Sequence, residues 1–321
     1  MGEIGKSQDI PRAQGLLRKD QAGNSGHRAA TAVKSLSEAL ASGEFVITTE
    51  ITPPKGTDTS GIIEKARLLK GKVHAANVTD NQRAVMRLSS LAGSILILQE
   101  GIDPVYQLTC RDRNRIALQS DLLGAWALGI HNILALTGDH VRSGDHPEAK
   151  PVFDLDAAQL VKIISTLNEG SDMKGNALSG KTGFFIGAAV NPGAEPQEVQ
   201  LLSFHKKLSA GARFFQSQVV FEPSRLKIYV EEAKKHNAYV IGGIMLLKSS
   251  KMARFVNEKI PGVVVPPAII EEMDKANDPV RHGVEIAARL AKEIKGIANG
   301  VHIMTMEREE LLPEILSKAG I

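Results

Sequence analysis

The chain has 321 residues, 43% hydrophobic and 23% charged, with a net charge of +3; this is the composition of a globular protein, long enough for one α/β barrel or two smaller domains. Aromatic residues make up only 4% and no lysine or arginine run tracks a phosphate backbone, so nucleic acid is not an expected partner. The one cysteine, Cys110, can neither close an internal disulfide nor hold an iron–sulfur cluster by itself, which fits a reducing, cytoplasmic setting.

Residues 1–28 are polar and show no sustained period, and read as an N-terminal arm outside the folded domain of residues 29–321. The arm has no apolar segment of the kind a signal peptide carries. The most apolar run, Leu91 to Leu98, is far too short for membrane insertion. Ala29 to Ala41 has helical spacing.

Strands and helices then alternate. FVITTE, starting at Phe45, is a β-branched run that ends on Glu50 and is stopped by Pro53-Pro54. A helix follows through Ile62 to Leu69. His74 to Thr79 is a strand, with a helical stretch from Arg83. Val105 to Cys110 is a strand, then a helix from Asn114 to Leu128. Asn132 to Thr137 is a strand, followed by a long loop and a helix from Asp156 to Leu167. Phe184 to Val190 and Arg213 to Phe221 are strands five and six, with helices at Gln197 to Leu208 and Ser224 to Lys235. Tyr239 to Leu246 is the seventh strand, followed by Lys251 to Asn257 and an extra helical region, Ala268 to Lys295. Gly300 to Met306 is the eighth, and Glu309 to Lys318 the last helix.

Eight such units predict an α/β protein, a (β/α)8 TIM barrel with an N-terminal extension. An open doubly wound sheet would want a G-x-G-x-x-G turn after an early strand, and the sequence has none. In a closed barrel the strand exits converge on one rim, so Glu50, Asn77, Thr79, Gln107, Thr137, Gly138, Asp139, Asn191 and Arg308 can share a pocket. Glu50 alone reads equally as a solvated loop acid. Gln216 and Gln218 interrupt an otherwise apolar strand at alternate positions, so they face one side and need partners there, either a ligand or a buried water network.

Gly138-Asp139 puts a glycine and a carboxylate directly after strand four. His140 and His146 have no cysteine or acid at ligand spacing, and no metal is expected. The loop from His140 to Val152 is either a lid or a solvated excursion. Trp126 recurs with Leu122 and Leu123 at helical spacing and reads as core. Lys206-Lys207, near the end of a helix, read first as a favourable interaction with the helix dipole, and second as partners for a cofactor phosphate.

In combination, TTEITPPKG, NVTD, QLTCRDRN, LALTGDH, AGARFFQSQVVFEP and HIMTMERE resemble the methylenetetrahydrofolate reductases, flavin-containing (β/α)8 barrels. The resemblance runs from about Gly43 to Ile321, and its motif detail is most similar to the enzymes of acetogenic and other anaerobic bacteria. It implies reduction of 5,10-methylenetetrahydrofolate to 5-methyltetrahydrofolate by hydride transfer from a reduced flavin, FAD or FMN. Glu50 would be the general acid that opens the five-membered ring, and Asp139 would lie near both flavin and pterin. Thr79, Gln107, Thr137, Gly138, Asp139, Phe153 and Lys207 match flavin-contacting positions, and Gln218 and Arg308 match folate-contacting ones. Gln107 stands where some relatives have histidine, and Thr137 where some have arginine. An oligomer is implied.

The chemistry of the residues agrees with this. Protonating the bridging nitrogen gives an iminium ion that accepts hydride, and the chain offers an acid, Glu50, and a counter-charge, Asp139. The reductant is NAD(P)H or an electron-donating partner subunit, iron–sulfur-bearing if ferredoxin is the source, because one cysteine cannot supply a cluster. Two other readings use the same barrel mouth: a folate-binding methyltransferase and a flavin-free structural subunit.

Overall fold

The computed structural model describes residues 34–321. The polar arm over residues 1–28 lies outside the described residues, as does the start of the helix expected from Ala29. That helix appears as α1 (Leu36–Ala41).

Eight parallel strands follow in chain order and close on themselves. They are β1 (Val46–Ile51), β2 (Ala75–Val78), β3 (Pro104–Thr109), β4 (Asn132–Leu136), β5 (Phe185–Val190), β6 (Phe214–Val219), β7 (Tyr239–Met245) and β8 (Gly300–Met304). The return helices are α2 (Ser60–Leu69), α3 (Ser90–Gln99), α4 (Arg115–Ala127), α5 (Ala157–Asn168), α6 (Gln197–Ala210), α7 (Lys227–Lys235), α8 (Ser250–Lys259), α9 (Pro267–Lys275), α10 (Pro279–Lys295) and α11 (Leu312–Ala319). This is the (β/α)8 barrel that the alternation predicts. No helix among the described residues is long and apolar enough to cross a membrane.

Two boundaries differ most from the sequence reading. The helical stretch expected from Arg83 starts only at Ser90, where Ser89 caps it by accepting from the Ala92 amide. Before it, Gln82–Ala84 form a single 3₁₀ turn. The region from Ala268 to Lys295 splits into α9 and α10, because Pro279 cannot continue a helix and the Asp278 side chain caps a new one.

The outward strand faces and the helices share one continuous core, with Tyr106, Ile133, Phe215 and Val240 fully buried. Trp126 packs at its edge against Phe184, edge to face at 5.3 Å. The inward face is layered by the period of two along each strand. At the bottom, Val46, Ala75, Val105, Leu134, Phe214 and Ile241 form a second apolar cluster, sealed from below by Leu36, Ala39 and Leu40 of α1. α1 is fixed by a Ser35–Glu38 capping box and by the Leu36 amide donating to Asp103 at 2.9 Å. Burying Leu36 and Leu40 there stabilises the plug by roughly 1.5–3 kcal/mol each.

Above this cluster the barrel interior turns polar. Thr48, Asn77, Gln216 and His302, from β1, β2, β6 and β8, are all buried and hydrogen-bonded to one another. This layer is the floor of the site.

Candidate active site

A cavity of about 350 Å³ opens where the strands end, within the size range of small-molecule sites. Glu50, Gln107, Gln216, Gln218 and His302 reach it from the strands, Gln82 from the β2–α3 loop, and Gln200, Ser203 and Lys207 from one face of α6. Most of these groups are neutral amides, so the few charges stand out.

Glu50 is one of them. It follows Val46 and Thr48 on the inward face of β1 and is half-buried. Loss of water around the carboxyl pushes its pKa up from 4.5 to about 7. The Gln82 side chain beside it works in the opposite direction, favouring the charged form. Glu309 raises the pKa further, and Lys65 lowers it. Glu309 is itself buried and is held by Lys65 at 2.9 Å. A carboxyl poised near neutrality can hold a proton at working pH and give it up, as a general acid requires.

Gln82 is brought to Glu50 by a strained turn. Asn81, Arg83 and Ala84 all have positive φ, between 46° and 57°. Such residues persist only where their surroundings dictate the backbone. Here the Arg83 amide donates to Asp139 at 3.1 Å, the Met86 amide to Asp145 at 3.0 Å and the Arg87 amide to Asn81 at 2.9 Å. Lys55 also donates to Asp145, at 2.8 Å. Gly144 lies so close to this turn that a Cβ would sit 1.7 Å from the Ala84 carbonyl oxygen. The loop from His140 to Val152 is therefore strapped to the β2–α3 loop.

Lys207 is the cavity's cation. Its ammonium donates to the Ala189 carbonyl at 2.8 Å, and no carboxylate among the described residues forms an ion pair with it. Burial holds its pKa below the usual lysine range, with Asp156 acting weakly the other way. Gln200 and Ser203 share its helix face at the spacing of successive turns.

On β6 the two glutamines separate. Gln216 exchanges two amide hydrogen bonds with Asn77, at 2.6 and 3.0 Å. The Gln218 side chain accepts only from the neighbouring Val219 amide, and its amide nitrogen is left for the cavity. The difference arises from a register shift between Gln216 and Val219 on the β7 side. The irregularity is pinned: the Gly243 amide donates to the Ser217 hydroxyl at 2.8 Å, which donates to the Gln218 carbonyl at 2.8 Å. A Cβ on Gly243 would lie 2.4 Å from the Ser217 carbonyl oxygen.

Of the residues singled out from sequence, Glu50, Gln107, Asn191, Lys207, Gln216 and Gln218 line the cavity. Thr79, Thr137, Gly138, Asp139, Phe153 and Arg308 do not. Thr79 is fully buried, and its hydroxyl has no partner. The Thr137 hydroxyl accepts from the Ala157 amide at the start of α5. Gly138 has φ 91° and sits over the Thr109 and Arg111 side chains. Asp139 is exposed and receives the Arg83 amide. Phe153, with φ 40°, stacks on His140. Arg308 pairs with Glu310. Gln82, Gln200, Ser203 and His302 were missed. The α6 pair was legible as positions three and four residues apart leading to Lys207. His302 interrupts an apolar strand just as Gln216 does.

The family model described as methylenetetrahydrofolate reductase matches residues 35–320. A "Probable methylenetetrahydrofolate reductase (NADPH)" of Caenorhabditis elegans is 25% identical over 257 residues, which is 77% of this chain and 37% of that one. The chain thus spans well under half of that relative's length. A "5,10-methylenetetrahydrofolate reductase" of Pectobacterium carotovorum is 24% identical over 309 residues, 90% of this chain and 95% of that one. Among solved structures, an uncharacterised protein from Clostridium thermocellum that binds two copies of 5-methyl-5,6,7,8-tetrahydrofolic acid superposes with a TM-score of 0.60. It is 14% identical, covers 89% of this chain and 98% of its own, and attests the fold alone.

Proposed function

The chain belongs to the methylenetetrahydrofolate reductase family, and from that we propose that it reduces 5,10-methylenetetrahydrofolate to 5-methyltetrahydrofolate with Glu50 as the general acid. The observation that carries this reading is the cavity-facing Glu50 carboxyl with its pKa near 7.

The residues fit a flavin. Lys207 is a desolvated cation without an acidic partner among the described residues, and with Gln200 and Ser203 it suits a phosphate-bearing ligand. FAD or FMN, once bound, supplies the hydride. Glu50 gives its proton to the bridging nitrogen, which breaks the carbon–nitrogen bond and leaves an iminium ion. Its own pKa then sets the share of molecules ready to act. Gln218 presents its amide nitrogen to the pterin, and Lys65 with Glu309 fixes the charge next to Glu50. Asp139 acts as a fixed negative charge at the rim, held by the Arg83 amide. Arg308 reaches the folate's acidic tail by exchanging its Glu310 partner. In this reading the protein is cytoplasmic and oligomeric.

The electrons come from NAD(P)H or from an electron-donating partner subunit. Cys110 is buried, its thiol pKa pushed up to about 12 by burial, and it takes no part.

The test is spectroscopic. Purified protein should carry a flavin, or take up added FAD or FMN, and 5-methyltetrahydrofolate should bleach that flavin under anaerobic conditions. A chain that binds neither flavin returns the choice to a methyltransferase barrel or a structural subunit. A flavin indifferent to the folate removes the reductase activity.

A further inference from the structure

Resting on the functional reading above, we propose that Gln82 and Asp145 are positioning residues for the acid: Asp145 straps the turn over residues 81–84 in place, and the turn sets the Gln82 amide against one oxygen of the Glu50 carboxyl, leaving the other to carry the proton to the ligand.

The turn is held against its own preference. Positive φ is uncommon outside glycine, yet Asn81, Arg83 and Ala84 adopt it at 46°, 57° and 56°. Alanine has no polar side chain to offset this locally, so the hold comes from outside. Asp145 Oδ1 accepts from the Met86 amide at 3.0 Å and Oδ2 from Lys55 at 2.8 Å, so one carboxylate ties the β1–α2, β2–α3 and β4–α5 loops together. Lys55 first, then the Met86 amide and His146, keep this carboxyl well below the usual carboxylate range, and it stays charged wherever the acid works. Next to it, Gly144 closes on the Ala84 carbonyl with no room for a side chain. Of residues 81–84 only Gln82 lines the cavity, together with Glu50.

An acid buried in a barrel mouth meets two demands. It must hold its proton near neutrality, which burial favours, and then release it to the bridging nitrogen, which burial opposes. A hydrogen-bond donor on the carboxyl eases the second step, because the bond strengthens as negative charge develops. The Gln82 side chain is placed for this: it bonds the carboxyl and favours the charged form. With one oxygen so engaged, the proton sits on the other. The remaining titratable groups facing Glu50 come from different elements. Lys65 of α2 and Glu309 of the turn after β8 pair with each other at 2.9 Å, and His302 of β8 is neutral near pH 7, because burial pushes its pKa down to about 4. None of them bonds to Asp145 or Gln82 among the described residues. Changes in the strap therefore leave them in place.

Infrared difference titration of the folate-free protein reads the protonated Glu50 carboxyl directly, with its band assigned by loss in Glu50→Gln. Wild type should titrate near pH 7. Gln82→Leu should raise the midpoint by about one pH unit, the equivalent of one hydrogen bond. Asp145→Ala releases the turn and should raise it similarly, and adding Asp145→Ala to Gln82→Leu should change nothing more, because both act through one bond. Asp145→Asn keeps an acceptor for the Met86 amide and should stay near wild type. In turnover, the limb of kcat/KM that falls as pH rises should move upward with the same variants. An unchanged midpoint in Gln82→Leu or Asp145→Ala overturns the proposal. A lowered midpoint in Asp145→Ala also overturns it, since an opened mouth that merely hydrates the acid works in that direction. A shift in Asp145→Asn equal to that in Asp145→Ala assigns the effect to the charge of Asp145 and overturns the strap. The titration needs no substrate, so the two readings fail separately: a chain that reduces no folate removes the function, while the strap is decided by the infrared midpoints. A wild-type carboxyl titrating near 4.5 removes the buried acid on which both rest.

Discussion

Replacing Glu50 with glutamine probes the acid and its burial together. At its ordinary pKa of 4.5 a glutamate is protonated in about three molecules per thousand at pH 7. With the pKa raised to about 7, half of the molecules carry the proton. The barrel thereby multiplies the acid form by roughly two orders of magnitude before positioning adds anything. The same burial weakens the fold. Below pH 4.5 the carboxyl is protonated folded and unfolded, and stability is unaffected. Between 4.5 and 7 only the unfolded chain ionises, so stability falls as pH rises, and above 7 the full penalty stands. The rise corresponds to roughly 3 kcal/mol, and solvent at the mouth reduces it to about 1–3 kcal/mol. Glu50→Gln keeps the shape and removes the ionisation. Denaturant melts of the flavin-free chain should show the variant more stable by that amount at pH 8, with the gap closing toward pH 4.5. Turnover of methylenetetrahydrofolate should fall by about 10²–10⁴. Equal stability at pH 8 would falsify the desolvated carboxyl; near wild-type turnover would take Glu50 out of the acid role.

Lys207→Met should leave the flavin-free chain at least as stable, because it removes a desolvated charge, yet should strip flavin from the purified protein; full flavin absorbance in the variant frees Lys207 from the cofactor. Gly243→Ala drives a Cβ to 2.4 Å from the Ser217 carbonyl oxygen, and a cost of about 1–3 kcal/mol in denaturant melts is expected; an unchanged midpoint means the β6 irregularity is not pinned there. Gln218→Leu should raise the folate Michaelis constant more than it changes flavin content, and the opposite pattern reassigns Gln218 to the cofactor. Residues 1–28 carry Lys6, Arg12, Arg18, Lys19 and Arg28 against Glu3, Asp9 and Asp20, so their deletion should spare dye-linked folate reduction and weaken capture of an electron-donating partner; undiminished capture makes the arm a plain tail.

The alternation of apolar runs and helical spacings was enough to read the barrel, because the strands are largely buried on both faces and most helices are punctuated by a cap or a proline. Glu50 was visible for a local reason, a carboxylate ending a β-branched run before two prolines. What the sequence hid depends on contacts between distant segments. Nothing local says that Asn81, Arg83 and Ala84 adopt positive φ; Asp139 and Asp145, more than fifty residues away, impose it. The same strap delays α3 to Ser90 and brings Gln82 to Glu50. The one-residue slip on β6 that separates the roles of Gln216 and Gln218 is set by its fit against Gly243 on β7. His302 shows the reverse case: its position in an apolar strand was as informative as that of Gln216, and only its partner Thr48 showed which nitrogen is left for the cavity.

The junction of β1 with β8 has a kinetic side. Every other pair of neighbouring strands is joined by a connection along the chain, but here the Thr48 hydroxyl meets His302, and the Thr49 hydroxyl donates to the Ile303 carbonyl at 2.7 Å, across 254 residues. Closing so long a loop costs more chain entropy than joining any other neighbouring pair of strands. Glu50 stands on one side of that seam and His302 on the other, so neither the acid nor the cavity floor exists until the ring shuts. A ligand that bridges the mouth binds only the closed form and adds to its stability by mass action. Such a ligand slows reopening of the seam, and with it the exposure of the folded chain to proteases, without changing how fast a new chain first closes.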